Sequence, residues 1–389
     1  MSSHTTGSGR GGPAPADPAP ERAPAAGGHR RYWAPLALAW SAGAVLLALC
    51  WAAGLLPHPF GDRGAVGIGA VLNAFDPLVG TSFTLVLGAI GVVFAAALAR
   101  SRNRAALRAG AAVGWLTTGV IVLVPLHGAL LTLFGYLPVV VFAGWTLPGL
   151  PSRYVEVVSE PGSLFLLYCL AGAVLWGMAA QTGARAQRGA CPRCGRPHGW
   201  TGADERRCRT AALRTGRIAV AAGVAAALAY PAIRIPWIFG HYPGFSAAEG
   251  AAFRESGMAI VGIGLGLAGL GGAVLMLGLV QRWGVRFPFW MAGLAGRRVP
   301  VPLAVVPAGI VTLALLAMGK GILVGWLDET LGGGSVSLAS APGGHGLLFL
   351  VAFPVWGVAL AVGTAAYALR RRAECGACGR GLPEPDGVR

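Results

Sequence analysis

The stretch GLLFLVAFPVWGVALAVGTAAYALRRRAECGACGR, residues 346–380, holds in one line the three parts from which the fold is read. Its first 24 residues, 346–369, carry no Asp, Glu, Lys or Arg, and about 20 apolar residues suffice for a helix to cross a bilayer. Three arginines follow, Arg370 to Arg372, and then the hexapeptide CGACGR. The same order occurs earlier in the chain. Trp176-Gly177 lies in an apolar run, arginines follow, and CPRCGR closes the segment at 191–196, as Trp356-Gly357 precedes CGACGR.

The full chain agrees with its quoted part. Of 389 residues, 55% are hydrophobic and only 12% charged, with a mean hydropathy of +0.63; soluble domains run near about a quarter charged. Eight spans are read, at about 33–56, 77–99, 109–134, 162–182, 218–240, 257–281, 299–327 and 346–369. The predicted fold is therefore an all-α polytopic integral membrane protein with eight transmembrane helices. Residues 1–29 are rich in Gly, Pro, Ala and Ser and show no signal peptide, so 1–32 is expected to be a disordered tail.

The net charge of +16 would suggest nucleic acid in a soluble protein. Here the arginines stand between apolar runs, so they read as a topology signal and nucleic acid is not expected as a partner. Segments 1–32, 100–108, 183–217, 282–298 and 370–389 hold four, four, nine, four and five arginines, or 26 of the 31 basic residues. The asymmetry predicts both termini on the cytoplasmic side. Lys320 is the single lysine, a bias that fits a GC-rich bacterial genome and hence a bacterial inner (plasma) membrane.

One region resists the count. Residues 109–152 contain no Arg, Lys, Asp or Glu, and 135–151 carries Pro138, Pro148 and Pro151, which interrupt helices. That stretch is expected to be re-entrant or interfacial. FPFWMAGLAG, 287–296, reads as a shorter interfacial piece on the cytoplasmic side.

Self-similarity organises the spans. Span 1 ends ALCWAAGLLPHPFG (48–61) and span 5 ends ALAYPAIRIPWIFG (227–240), in ungapped register. The expected domains are a first four-helix repeat at 33–182, a cytoplasmic Arg/Cys-rich linker at 183–217, a second repeat at 218–369 and a cytoplasmic tail at 370–389. An even number of spans per unit gives the two halves one orientation, hence a parallel repeat about an axis along the membrane normal.

Two C-x-x-C pairs on the reducing side of the membrane disfavour a disulfide and supply four thiolates, the ligand set of tetrahedral zinc. Cys191, Cys194, Cys375 and Cys378 are expected to meet and bind one structural zinc that joins the halves. A local set, Cys191, Cys194, His198 and Cys208, is a rival, and a redox pair is another. Cys50 and Cys169 lie within spans and read as small apolar fillers.

Ionisable groups at membrane depth are functional candidates. Arg234, His241, His58 and Asp62 would line an outward vestibule, and His127 and Lys320 stand at comparable points of spans 3 and 7. The duller readings are an arginine snorkelling beside Trp237, a packed histidine and a snorkelling lysine. No Asp or Glu falls well inside a span, which weakens a proton antiporter. G-x-x-x-x-G-K-[ST], H-E-x-x-H and aspartate-rich magnesium motifs are absent from the sequence. Three activities remain: handling or transport of a small molecule or lipid through a cleft between the repeats, a non-catalytic scaffold or sensor docking a cytoplasmic protein partner, and an enzyme at the outer headgroup level.

Overall fold

The computed structural model describes residues 30–60, 71–101, 103–146, 149–255, 258–291, 293–330 and 346–384. Among them the chain is helical, with one isolated β-bridge between Arg286 and Arg298. The helices are α1 (Arg30–Ala52), α2 (Pro77–Arg100), α3 (Arg104–Leu123), α4 (Ala129–Ala143), α5 (Leu150–Ser159) and α6 (Pro161–Gln187). The second part holds α7 (Gly202–Arg234), α8 (Ala247–Glu255), α9 (Met258–Gly278), α10 (Val301–Thr330) and α11 (Gly346–Arg370).

Local chemistry starts these helices where the sequence changes character. Asp76 caps α2 by accepting from the Leu78 N–H at 2.8 Å, with Pro77 at the first helical position. Asn103 caps α3 through the Ala105 N–H, and Thr201 with Asp204 closes a reciprocal capping box on α7. Each cap satisfies backbone donors that a helix end leaves bare.

Among the described residues seven helices are long and apolar enough to cross a membrane: α1, α2, α3, α6, α7 with the turn after it, α10 and α11. The predicted span 257–281 corresponds to α9, whose apolar stretch Gly262–Gly278 is shorter. The predicted span 109–134 is not one helix. Its first part is α3, which ends at Leu123 just before Pro125, a residue with no N–H to continue the ladder. A separate helix, α4, then takes up 129–143, so much of the expected interruption at 135–151 is helical.

The helices pack as two groups. In the first, α1 lies against α2 and α6, and α3 against α6 and α2; in the second, α7 lies against α9 and α11, and α10 against α11. Small residues allow close approach. A Cβ on Gly172 of α6 would stand 2.2 Å from the Trp40 ring of α1, and one on Gly223 of α7 would stand 2.2 Å from Met276 of α9.

Two tryptophans centre the groups. Trp176 is fully buried and lies 3.1 Å from where Gly91 of α2 would carry a Cβ; Trp356 lies 3.2 Å from the same point on Gly272 of α9. Trp176 Nε1 donates to Ser41 Oγ of α1 at 3.2 Å. In the register that aligns 48–61 with 227–240, the position of Ser41 is Val220, and Trp356 Nε1 has no acceptor among the described residues.

The groups meet through α10, which touches α3 and α4. Ala314 and Ala317 belong to the buried core of the first group. One turn further on, Lys320 donates its ammonium to the carbonyls of Val124 and Leu126, two oxygens that the break after α3 leaves free.

Candidate metal centre

The end of α6 and the start of α7 flank CPRCGR, and the end of α11 leads into CGACGR. Each hexapeptide folds the same way. Cys191 N–H donates to the Arg196 carbonyl at 2.9 Å, and Gly195 N–H to the Cys191 carbonyl at 2.7 Å. In the second copy Cys375 N–H donates to the Arg380 carbonyl at 3.0 Å, and Gly379 N–H to the Cys375 carbonyl at 2.7 Å. Gly195 and Gly379 adopt φ of +74° and +68°, a left-handed backbone that residues with a Cβ rarely take. That is why glycine follows the second cysteine in both copies.

The two knuckles face each other. Cys191 Sγ lies 3.9 Å from Cys375 Sγ, Cys194 Sγ lies 3.7 Å from Cys378 Sγ, and all four sulfurs fall within 4.8 Å of one another. These separations are far beyond a disulfide bond of about 2.05 Å, and all four thiols are free. Four sulfurs at about 2.3 Å from a tetrahedral ion stand about 3.8 Å apart, which matches the cross-knuckle distances. The four-cysteine cluster is therefore compatible with a metal ion.

The four thiols do not titrate alike. Burial pushes the Cys191 thiol up, but donors from the backbone of Cys194 and Arg193 and from the Cys194 and Cys378 thiols outweigh it, to about 7. Burial and its neighbouring sulfurs push Cys378 up to about 12. Arg185, Arg196 and Arg372 stand around the sulfurs and supply positive charge to any thiolate formed there.

Around the sulfurs the side chains cross from one knuckle to the other. Arg196 is fully buried and donates to both oxygens of the buried Glu205 carboxylate, Nε to Oε2 at 2.8 Å and Nη2 to Oε1 at 2.9 Å. Its Nη1 also reaches the Arg380 carbonyl at 2.8 Å and the Ala373 carbonyl at 3.1 Å on the second knuckle. In return Arg380 donates to the Pro197 carbonyl at 3.2 Å and meets His198 Nδ1 at 3.0 Å. Trp200 Nε1 donates to Glu205 at 2.9 Å, and Arg372 to the Cys194 carbonyl at 3.2 Å.

The residues of the local alternative have other roles here. His198 faces Arg380, and Cys208 receives Arg372 at 3.6 Å. Arg196, Arg380 and Glu205 were not singled out by sequence reasoning. The signal lay in the last letter of both hexapeptides, where an arginine follows the glycine twice.

The remaining candidates are scattered. Arg234 lays its guanidinium 4.0 Å from the Trp237 ring centre and 5.1 Å from that of Tyr230, the geometry of cation–π stacking. His58 is exposed, 6.4 Å from the Trp51 ring, and His241 is also exposed. Among the described residues no hydrogen bond or ion pair links any two of Arg234, His241 and His58. Asp62 lies outside the described residues. His127 is buried in the break after α3, next in sequence to Leu126, whose carbonyl Lys320 holds.

Comparison of the chain with protein-family models, with curated proteins and with solved structures finds no match. Its functional reading rests on the geometry above.

Proposed function

We propose that the chain is a membrane scaffold of two four-helix halves, fastened at its cytoplasmic end by one structural zinc on Cys191, Cys194, Cys375 and Cys378. The observation that carries this is the meeting of four sulfurs from segments 184 residues apart, the cross-knuckle pairs at 3.9 and 3.7 Å and all four within 4.8 Å. Zinc is preferred because four thiolates in a closed shell form its structural ligand set, with no open position for chemistry.

Eight crossings are supported by the way helix ends gather. Arg370 at the end of α11 donates to the Leu279 carbonyl just after α9, so α9 returns to the cysteine end before α10 leaves it. At 21 residues α9 is about 31 Å long, enough to cross. The matching neighbours and the two glycine-seated tryptophans support a parallel repeat. The arginine-rich segments gather at this same end, which supports cytoplasmic termini in a bacterial plasma membrane.

The clamp favours a scaffold over a carrier that rocks its halves. Opening the cytoplasmic end would break the zinc site and withdraw Arg196 from the second knuckle in each cycle. One observation favours a second reading, that of a small-molecule carrier. The break between α3 and α4 leaves backbone groups at the contact between halves, where His127 and Lys320 stand, and discontinuous helices build carrier sites. Such a carrier would move only at its outer end, where Arg234, His241 and His58 would line the vestibule.

Metal analysis of the purified chain tests the zinc. One zinc per chain is expected, lost in C375S/C378S and retained in C208S; a metal-free wild type, or zinc that survives C375S/C378S, refutes the clamp. Spin labels placed through non-cysteine chemistry at positions 58 and 241 separate the two readings. One distance supports the scaffold, and two exchanging distances support the carrier.

A further inference from the structure

The segment between α9 and α10 is a finger built for a surface. Val285 and Val299 are buried at its base, where Val299 N–H donates to the Val285 carbonyl at 2.9 Å. Above them Phe287 N–H donates to the Arg297 carbonyl and Gly296 N–H to the Phe287 carbonyl, each at 3.0 Å. The tip closes on itself through Met291 to Pro288, Leu294 to Met291 and Ala295 to Met291. These internal bonds lower the cost of bringing the tip into a less polar layer.

The finger is held rigidly to the cysteine end. Arg371 donates to the Val299 carbonyl at 2.9 Å and to the Gly284 carbonyl at 3.3 Å, and Tyr367 OH to Gly284 at 2.7 Å. Arg371 and Arg298 both pair with Glu384. The finger is thus tied to the tail that carries Cys375 and Cys378.

Its outer surface has two zones. Phe289 is 91% exposed and Trp290 69%, a level that a side chain seated against its own fold does not show. Arg282, Arg286, Arg297 and Arg298 surround the base, all exposed, and 282–300 contains no Asp or Glu. Because the finger directly joins two membrane helices, aromatic tip and cationic base both lie beside the bilayer surface. Aromatic rings settle at the headgroup level, and arginines there are drawn to anionic lipid.

We propose that the 282–300 finger is an anionic-lipid site of the cytoplasmic leaflet, with Phe289 and Trp290 inserted among the headgroups and Arg282, Arg286 and Arg297 on lipid phosphates. This rests on the membrane reading above and not on the zinc. Charge complementarity selects the occupant: four arginines in a segment with no acid of its own, of which Arg298 is met by Glu384, leave a net positive surface that suits the phosphodiester of phosphatidylglycerol over a zwitterionic headgroup.

The test uses the whole zinc-loaded chain, with phosphatidylglycerol or phosphatidylcholine added in detergent and bound lipid counted by native mass spectrometry. Wild type is compared with R282Q/R286Q/R297Q and, as a control at the opposite end, R153Q. A basic residue near an anionic surface contributes about 1 kcal/mol, or about fivefold in affinity. The triple variant should therefore lose phosphatidylglycerol adducts by at least about tenfold, with zinc content and R153Q unaffected. In nanodiscs, lipids brominated near the headgroup should quench a component of tryptophan emission that W290F lacks. Unchanged phosphatidylglycerol binding in the triple variant overturns the proposal. So does a Trp290 component that aqueous iodide quenches and brominated lipid does not, which would place the finger in water. Zinc loss in every variant would instead count against the clamp, so the two failures are distinguishable.

Discussion

Replacing Glu205 by Gln tests whether the two knuckles are joined by more than sulfur. In the folded chain Glu205 is fully buried and takes both parallel donors of Arg196 and the Trp200 N–H. Glutamine keeps the shape, but it removes the counter-charge and turns one acceptor into a donor that faces an arginine. Arg196 would then stay buried as a cation with no counter-charge, held by the Ala373 and Arg380 carbonyls and one neutral amide oxygen. Breaking one side of a buried ion pair costs about 3–5 kcal/mol. When the knuckles separate, water reaches Arg196 and relieves most of that cost, so the penalty falls on the joined, metal-bound state. A cost of about 3 kcal/mol is roughly 150-fold in binding. Competition against a chromophoric chelator should show apparent zinc affinity weaker in E205Q by about two orders of magnitude. R196M/E205Q, which removes the stranded cation, should recover part of it, and a double-mutant cycle isolates the coupling. An E205Q protein that binds zinc within about threefold of wild type would mean that the buried ion pair does not join the knuckles.

Other outcomes follow from single contacts. K320M removes the ammonium that holds the Val124 and Leu126 carbonyls. With about 1.5–3 kcal/mol per charged hydrogen bond, thermal unfolding in detergent should register a loss of at least about 2 kcal/mol; an unchanged melt contradicts this. G172A would press a methyl group into Trp40 and should cost about 1–3 kcal/mol, whereas G119A, with nothing within 4 Å, should leave the melt unchanged or raise it. S41A strands the buried Trp176 N–H at about 1–3 kcal/mol, readable in the same melts. Acidification should release zinc, because protons compete for the thiolates, and supernatant metal tracks it.

Much of this architecture was legible in the letters because lipid imposes a simple rule. Charge-free runs of about 20 residues become helices, and the runs that hold Trp176-Gly177 and Trp356-Gly357 proved to be α6 and α11. The meeting of the cysteines was also legible, since the same hexapeptide follows both. The break after α3 was harder. Pro125 gave a local warning, but the run 109–134 is apolar throughout, and hydropathy does not distinguish one helix from two. What holds the break in place is Lys320, almost 200 residues away in sequence, a contact that no local pattern encodes. Glu205 was hidden for a similar reason. In ADERRC it looks like one more surface charge of a helix start, and only the fold places Arg196 against it.

The distance along the chain between the knuckles sets a timetable for synthesis. Cys191 and Cys375 are 184 residues apart, which a ribosome covers in roughly 10 to 40 seconds at 5–20 residues per second. Throughout that interval the first cysteine pair is finished and waits without its counterpart, able to hold an ion by two thiolates only. The last helix must emerge before the four sulfurs can meet, so the site closes only after synthesis has passed Cys378.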